Sequence, residues 1–501
     1  MTEEQDRDLA KVAKGACISF VGIISGRGLQ LLSLITIARL FGSEITGLYV
    51  LGVTVSKITD LIARFGLHTG AMRFISINHK KDPQRVKGIL ISSISFSFFN
   101  GIFLGLLLYL FSGIISNSVF NKPELKEIIK LFAMGVPFMS SMMVLATASQ
   151  GFHTTKHAVF ARDIIQPFSN LLLIFVFTYM GLGTSSAVYA FVTSNILALA
   201  AGMSLLTKIF PPIKDRILKP VYELRNLISY STPLLMAGFL HFLLSWTDAI
   251  MLGIMKTSQD VGIYNAATQV PLLLVIFLNA SNSIYAPVIA DLFHKGEKAR
   301  IEKMFKTTTR WIYFIVLPAS LIFVSSAREA MSIFGHDFVE KGTPVLIILT
   351  VAQFVNCITG GIGFTLSMTG RQKLELINSI VLVVLNVILN VLLIPRYNVV
   401  GAAIATATSI ILINMLRLVE VYKLYQIHPY SRSYSKAFIP AVVSILLLLI
   451  VKLLELGFIW DIMFNIFIVG ITFSIYIRIT GFDETDKYIF KMVRAKLIAK
   501  T

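Results

Sequence analysis

Charge is what this chain is short of: Asp, Glu, Lys and Arg make up 14% of its 501 residues, against about 25% in ordinary soluble proteins. With 55% hydrophobic residues, that shortage excludes a soluble domain of the usual kind and expects backbone buried in lipid. Cysteine is nearly absent, two in the whole chain. Cys17 follows Lys14 and precedes the apolar stretch, the wrong order for a lipoprotein cleavage site, and Cys357 falls inside an apolar run. Neither suggests a disulfide framework or a metal site, and no metal or cofactor is expected. No G-x4-G-K-[ST] run occurs, so ATP is not the expected energy source. The opening MTEEQDRDLAKVAKGACISF lacks a short apolar core ending in a small-residue cleavage site, so the first apolar run is expected to stay as a span.

What is present is a series of strongly apolar segments of about 20 residues, recurring from Ala16 to Thr480 between short polar joints. Each can cross a hydrocarbon core of about 30 Å as a helix. The expected fold class is an all-α polytopic membrane protein with about 14 spans. They run approximately 15–40, 46–67, 88–111, 127–150, 163–180, 185–206, 228–254, 263–290, 308–326, 344–367, 376–394, 399–423, 438–454 and 459–478. The net charge of +18 is not a nucleic-acid signal, because Lys and Arg are spread over many joints instead of one basic domain. They concentrate in alternate joints: Arg73 to Lys87, Lys208 to Arg225, Lys295 to Arg310, and the tail Lys487 to Lys500. By the positive-inside rule both termini are expected in the cytoplasm, in a multi-pass protein of the cell membrane. The tail KYIFKMVRAKLIAK alternates basic and apolar residues, as either an interfacial amphipathic helix or a solvated helix end would.

The joint after the sixth span holds Pro211, Pro212 and Pro220 among basic residues and reads as a linker. On either side the chain repeats weakly at an offset of about 215 residues, as parallel transporter halves do. Gly47 and Tyr49 in ARLFGSEITGLYVLGVTV match Gly262 and Tyr264 in IMLGIMKTSQDVGIYNAATQV, and Ala187 and Ala190 match Ala402 and Ala405. The expected organisation is an N-terminal lobe, 1–206; a cytoplasmic linker, 207–227; a C-terminal lobe, 228–424; and a final helix pair with basic tail, 425–501.

The ARLFG-x4-G-x-Y turn, the D-x4-G-x8-GIYNAA turn and the twelve-plus-two span pattern resemble the polysaccharide and O-antigen flippases. These belong to the superfamily that includes the MATE multidrug exporters and the lipid II flippases. The resemblance covers essentially the whole chain. It implies a V-shaped, two-lobed transporter that moves a polyprenyl-diphosphate-linked oligosaccharide to the outer leaflet. The implied partners are that lipid-linked glycan, membrane lipids and the glycan assembly machinery.

Ionisable groups inside apolar spans are costly in lipid and normally face a cavity or a partner. Arg27 lies near the middle of the first span, facing either a cavity or carbonyls and Asp60. Arg39, nearer the outer end, can snorkel. Lys57, Asp60, Arg64 and His68 fall on one face of a continuous helix at i, i+3, i+7 and i+11. Asp60 neutralises one neighbour, leaving beside Arg27 a positive surface suited to a diphosphate. The competing reading is an internal Lys–Asp–Arg packing network. His241, with Asp248 two turns further along, and the pair Asn265 and Gln269 are the second-half candidates, for sugar hydroxyls or for interhelical packing. Arg417 and Glu420, at i, i+3, read as an intrahelical pair.

The expected function is an alternating-access flippase driven by H+ or Na+ or by the membrane potential. A MATE-type drug or cation antiporter is the alternative, and a membrane-embedded glycan polymerase, ligase or acyltransferase the third. Net positive charge in the first half disfavours cationic drugs, and short outer joints leave little room for an outer-face enzyme.

Overall fold

The computed structural model describes residues 3–215, 217–453 and 457–480. Cys17's side chain and the basic tail from Lys487 lie outside the described set. Within it the chain is helical throughout: α1 Glu3–Arg64, α2 Leu67–Asn78, α3 Pro83–Ile114, α4 Leu125–Ser149, α5 Lys156–Val159, α6 Gln166–Tyr179, α7 Ser186–Ile209, α8 Leu224–Met255, α9 Ser258–His294, α10 Lys298–Ser325, α11 Ala327–Ser332, α12 Val339–Ile358, α13 Ile362–Met368, α14 Gln372–Tyr425, α15 Phe438–Lys452 and α16 Phe458–Thr480. Eleven helical stretches among the described residues are long and apolar enough to cross a bilayer. The protein is therefore an all-α, multi-pass membrane protein.

Two of these stretches are too long for one crossing. α1 has 62 residues and, if straight, would extend about 90 Å, three times a hydrocarbon core. It breaks at Gly42, with φ 79° and ψ 179°, a backbone that glycine adopts without Cβ strain. The break folds the helix back. In a straight helix Arg27 and Lys57 would lie about 45 Å apart, yet the charge of Arg27 acts directly on Lys57. α14, with 54 residues, breaks at Asn398, φ 52°, just after Pro395, which cannot donate a helical hydrogen bond. Asn386 Nδ2 then donates across the fold to Thr406 Oγ1 at 2.9 Å. Each of these helices thus covers two expected spans, and the 15-residue α15 is a further short apolar helix.

Packing divides the chain into two compact units. One holds Met1–Gln269, Met331–Val345 and Ser379–Thr406; the other holds Val270–Ala330, Leu346–Asn378 and Ala407–Thr501. In the first, Leu67, Ile75, Ile89, Leu90, Leu145 and Phe210 form a core beneath α2, α3 and α4. In the second, Tyr285, Phe305, Leu366 and Val421 do the same, and α15 and α16 seat Leu448, Val469 and Phe473 against Leu317 and Leu321 of α10.

Backbone contacts in the first unit are close where the sequence repeat places glycine. A Cβ added at Gly47 would lie 1.7 Å from the Ser258 carbonyl oxygen, and one added at Gly262 would lie 2.2 Å from that of Ser43. The contact is reciprocal, Gly47 on Ser258 and Gly262 on Ser43, as expected when two like surfaces meet about a two-fold axis. Nearby, the buried Lys122 ammonium donates to the carbonyls of Phe120 at 3.1 Å, Gly253 at 2.5 Å and Lys256 at 2.8 Å, closing the C-terminal end of α8. Gly47→Ala is expected to lower the thermal midpoint by about 5 °C through overpacking. Gly470→Ala, where a Cβ meets nothing within 4 Å, should leave it level or raise it. Equal midpoints for the two variants, by melting in detergent, would refute the close approach.

Candidate functional site

The outgoing half of α1 places Lys57, Asp60 and Arg64 on one helical face, and the fold-back brings Arg27, exposed on its first half, within electrostatic reach of Lys57. Asp60 is buried, 7% exposed, with Oδ2 3.7 Å from Arg64 Nε. Its other oxygen meets no protein donor. Lys57 forms no ion pair among the described residues. Its ammonium stands 4.3 Å from the ring centroid of Trp246. Asp60 is thus the one carboxylate paired with this set, and among the described residues Arg27 and Lys57 have no ionic partner.

α1 and α8 run past each other along this stretch. Gly66 meets Ser231, Gly238 meets Leu61 and Lys57 meets Trp246. Glycines at the first two crossings let the backbones approach. Gly26, next to Arg27, presses on Asp163, whose carbonyl oxygen would lie 2.6 Å from an added Cβ. That segment, Phe160–Ile165, is a π-turn, and in it Asp163 takes two hydrogen bonds from Arg162 at 2.8 and 2.9 Å.

The remaining candidates are placed differently. His68 does not continue the Lys57 face, because α1 ends at Arg64 and the chain turns through Phe65, φ 49°, and Gly66, φ 72°. It still feels the Arg64 charge. His241 is exposed on α8 between the Gly238 and Trp246 crossings, its Nδ1 3.4 Å from Ser245 Oγ. Asn265 and Gln269 bond to each other, Gln269 Nε2 donating to Asn265 O at 3.2 Å and Oδ1 at 3.3 Å. Arg39 does more than snorkel: it donates to the carbonyls of Ser332 and Ile333, both at 2.6 Å, at the end of α11. Arg417 pairs not with Glu420 but with both carboxylate oxygens of Glu375, while Glu420 accepts from Asn378 at 2.7 Å.

Asp248 carries a network that residue spacing alone did not reveal. Its Oδ2 accepts from Tyr264 Oη at 2.6 Å and Thr406 Oγ1 at 2.5 Å. Its Oδ1 accepts from Asn390 Nδ2 at 2.7 Å and Asn386 Nδ2 at 3.2 Å. The i, i+4 spacing of Asn386 and Asn390 in an otherwise apolar helix was the available signal.

Apolar helices here carry cations without ionic partners and a carboxylate held by neutral donors. A family model described as "Polysaccharide biosynthesis protein" matches residues 12–293, and one described as MatE matches 233–392. The chain belongs to the polysaccharide biosynthesis protein family. It is 26% identical over 402 residues to the "Probable low-salt glycan biosynthesis flippase Agl15" of Haloferax volcanii, covering 79% of this chain and 81% of that protein. It is 25% identical over 271 residues to the "Probable flippase AglR" of the same organism, covering 52% and 54%. Its fold matches that of the lipid II flippase MurJ in an inward closed conformation, TM-score 0.72 at 16% identity, over 92% of this chain and 99% of that one. An inward-facing MATE transporter matches with TM-score 0.64 at 16% identity, over 79% and 94%.

The Arg417–Glu375 pair is open to a direct test. Glu375→Gln is expected to cost about 1–2 kcal/mol by leaving a half-buried guanidinium without its carboxylate, and Glu375→Gln with Arg417→Met to recover most of it. Additive losses in the double variant would contradict the pairing.

Proposed function

We propose that this protein is a flippase that translocates a polyprenyl-diphosphate-linked oligosaccharide across the cytoplasmic membrane for surface glycan synthesis. The observation that carries the reading is the uncompensated charge of Arg27, Lys57 and Arg64. Two excess cations in apolar helices cost several kcal/mol unless an anion answers them. A diphosphate does so with several acceptor oxygens, and the planar guanidinium fork engages two of them together. The flippase names of the Haloferax volcanii relatives support this substrate class. A cationic drug would be repelled by the same charge, so the MATE-type reading is disfavoured.

Flipping a lipid-linked sugar makes and breaks no covalent bond, so the protein acts as a transporter and not as an enzyme. We read both termini as cytoplasmic from the positive-inside pattern. The reciprocal Gly47 and Gly262 contact supports two lobes related by a pseudo-two-fold axis. His241, on the helix that borders the cations, and Asn265 with Gln269 are proposed to meet the sugar portion. The coupling ion, H+ or Na+, is best served by Asp248. That carboxylate has only neutral partners among the described residues, and Asn390, fully buried beside it, keeps an unbonded Oδ1 that can serve a cation.

Arg27→Ala is expected to abolish transport of a lipid-diphosphate sugar in liposomes while leaving protein yield near wild type. Arg27→Lys should restore only part of it, since an ammonium lacks the two-toothed fork. Asp60→Asn should be milder, because the positive surface remains. Normal transport by Arg27→Ala, measured per folded protein, would reject the reading; loss in step with misfolding would favour a packing network instead.

A further inference from the structure

Lys57 raises a problem that the diphosphate reading leaves unsolved. Its four-carbon stem is flexible, and a substrate cation must be held in one place to act. The usual holder is a carboxylate, which would also cancel the charge. Asp60, one turn on, lies within ion-pair distance of Arg64 and not of Lys57. The partner that holds Lys57 is instead an indole ring, 4.3 Å from the ammonium.

From this geometry we infer that Trp246 is a positioning residue for substrate binding, fixing the Lys57 ammonium by a cation–π contact that leaves its positive charge undiminished toward the diphosphate. The proposal rests on the diphosphate reading above. A ring face attracts a cation through its quadrupole and carries no net charge, so it orders the ammonium without competing as an anion. Trp246 is itself held flat. Phe242, one turn earlier on α8, stacks nearly parallel to it, 18° between planes and 6.5 Å between centroids. Phe242 is buried, whereas Trp246 keeps partial exposure. The close crossing of α8 with α1 at Gly238 and Leu61 fixes the level at which the ring meets Lys57. Indole is the strongest of the natural rings in this role, so the effect should be graded with the side chain.

The test measures half-saturation and maximal rate for a lipid-diphosphate sugar in proteoliposomes, in the full-length protein, with Trp246→Phe, Trp246→Leu, Lys57→Gln and the pairings of each Trp246 variant with Lys57→Gln. Trp246→Leu is expected to raise half-saturation about ten-fold, and Trp246→Phe about three-fold, with maximal rate within about two-fold of wild type. Neither Trp246 change should add to Lys57→Gln, because the ring then has no ammonium to hold. If Trp246→Leu does not fold, Trp246→Phe alone and in the Lys57→Gln background carries the same comparison. Additive effects, or a Trp246→Phe variant unchanged in half-saturation while Lys57→Gln is impaired, would overturn the positioning role and leave the diphosphate reading standing. Unchanged half-saturation in Lys57→Gln itself would overturn both.

Discussion

A guanidinium or ammonium placed at the hydrocarbon depth of a bilayer costs about 3 kcal/mol on insertion scales unless its charge is answered. The organisation of the first compact unit follows from having three such groups and one carboxylate to answer them. Arg27 and Lys57 belong to the same long helix, and they come within reach of each other's charge only because α1 reverses at Gly42. Arg64 takes the carboxylate of Asp60. Lys57 takes the face of Trp246. None of these arrangements removes the excess charge; they only fix where it stands.

Around that charge the backbone is brought close by residues without bulk. Gly238 and Gly26 mark crossings of α1 with its neighbours, and Gly66 the turn that follows it, where a methyl group would meet a carbonyl or a side chain. The π-turn at Phe160–Ile165, where Arg162 and Asp163 neutralise each other, lies against the Arg27 stretch and adds no net charge. Elsewhere, cations bind helix carbonyls: Lys122 at the end of α8 and Arg39 at the end of α11. Those cations are answered by the protein's own backbone, whereas the Arg27–Lys57–Arg64 cluster has one carboxylate among three charges.

The membrane class and the Lys57–Asp60–Arg64 face were legible in the sequence because both rest on local signals: apolar length, and charges spaced at three and four residues. The reversals at Gly42 and Asn398 were legible too, as polar joints between two apolar runs, although each pair of runs is continuous in helical structure apart from one residue. His68 was assigned to the Lys57 face because spacing alone does not reveal the left-handed turn at Phe65 and Gly66. Arg417 was paired with Glu420 because i, i+3 spacing is visible in sequence, whereas Glu375, 42 residues away, is a tertiary neighbour. Trp246 escaped for a different reason. An aromatic residue in an apolar span looks the same whether it meets lipid or an ammonium.

The central claim is that the uncompensated charge selects a diphosphate, and binding to the wild-type protein tests it most directly. The affinity of one polyprenyl chain should be measured in three forms, as diphosphate, monophosphate and free alcohol, in detergent at fixed ionic strength. The diphosphate should bind at least about ten-fold tighter than the monophosphate and far tighter than the alcohol, and its advantage should shrink as salt is raised. Equal affinity for the three forms, or a preference that ignores salt, would contradict the account.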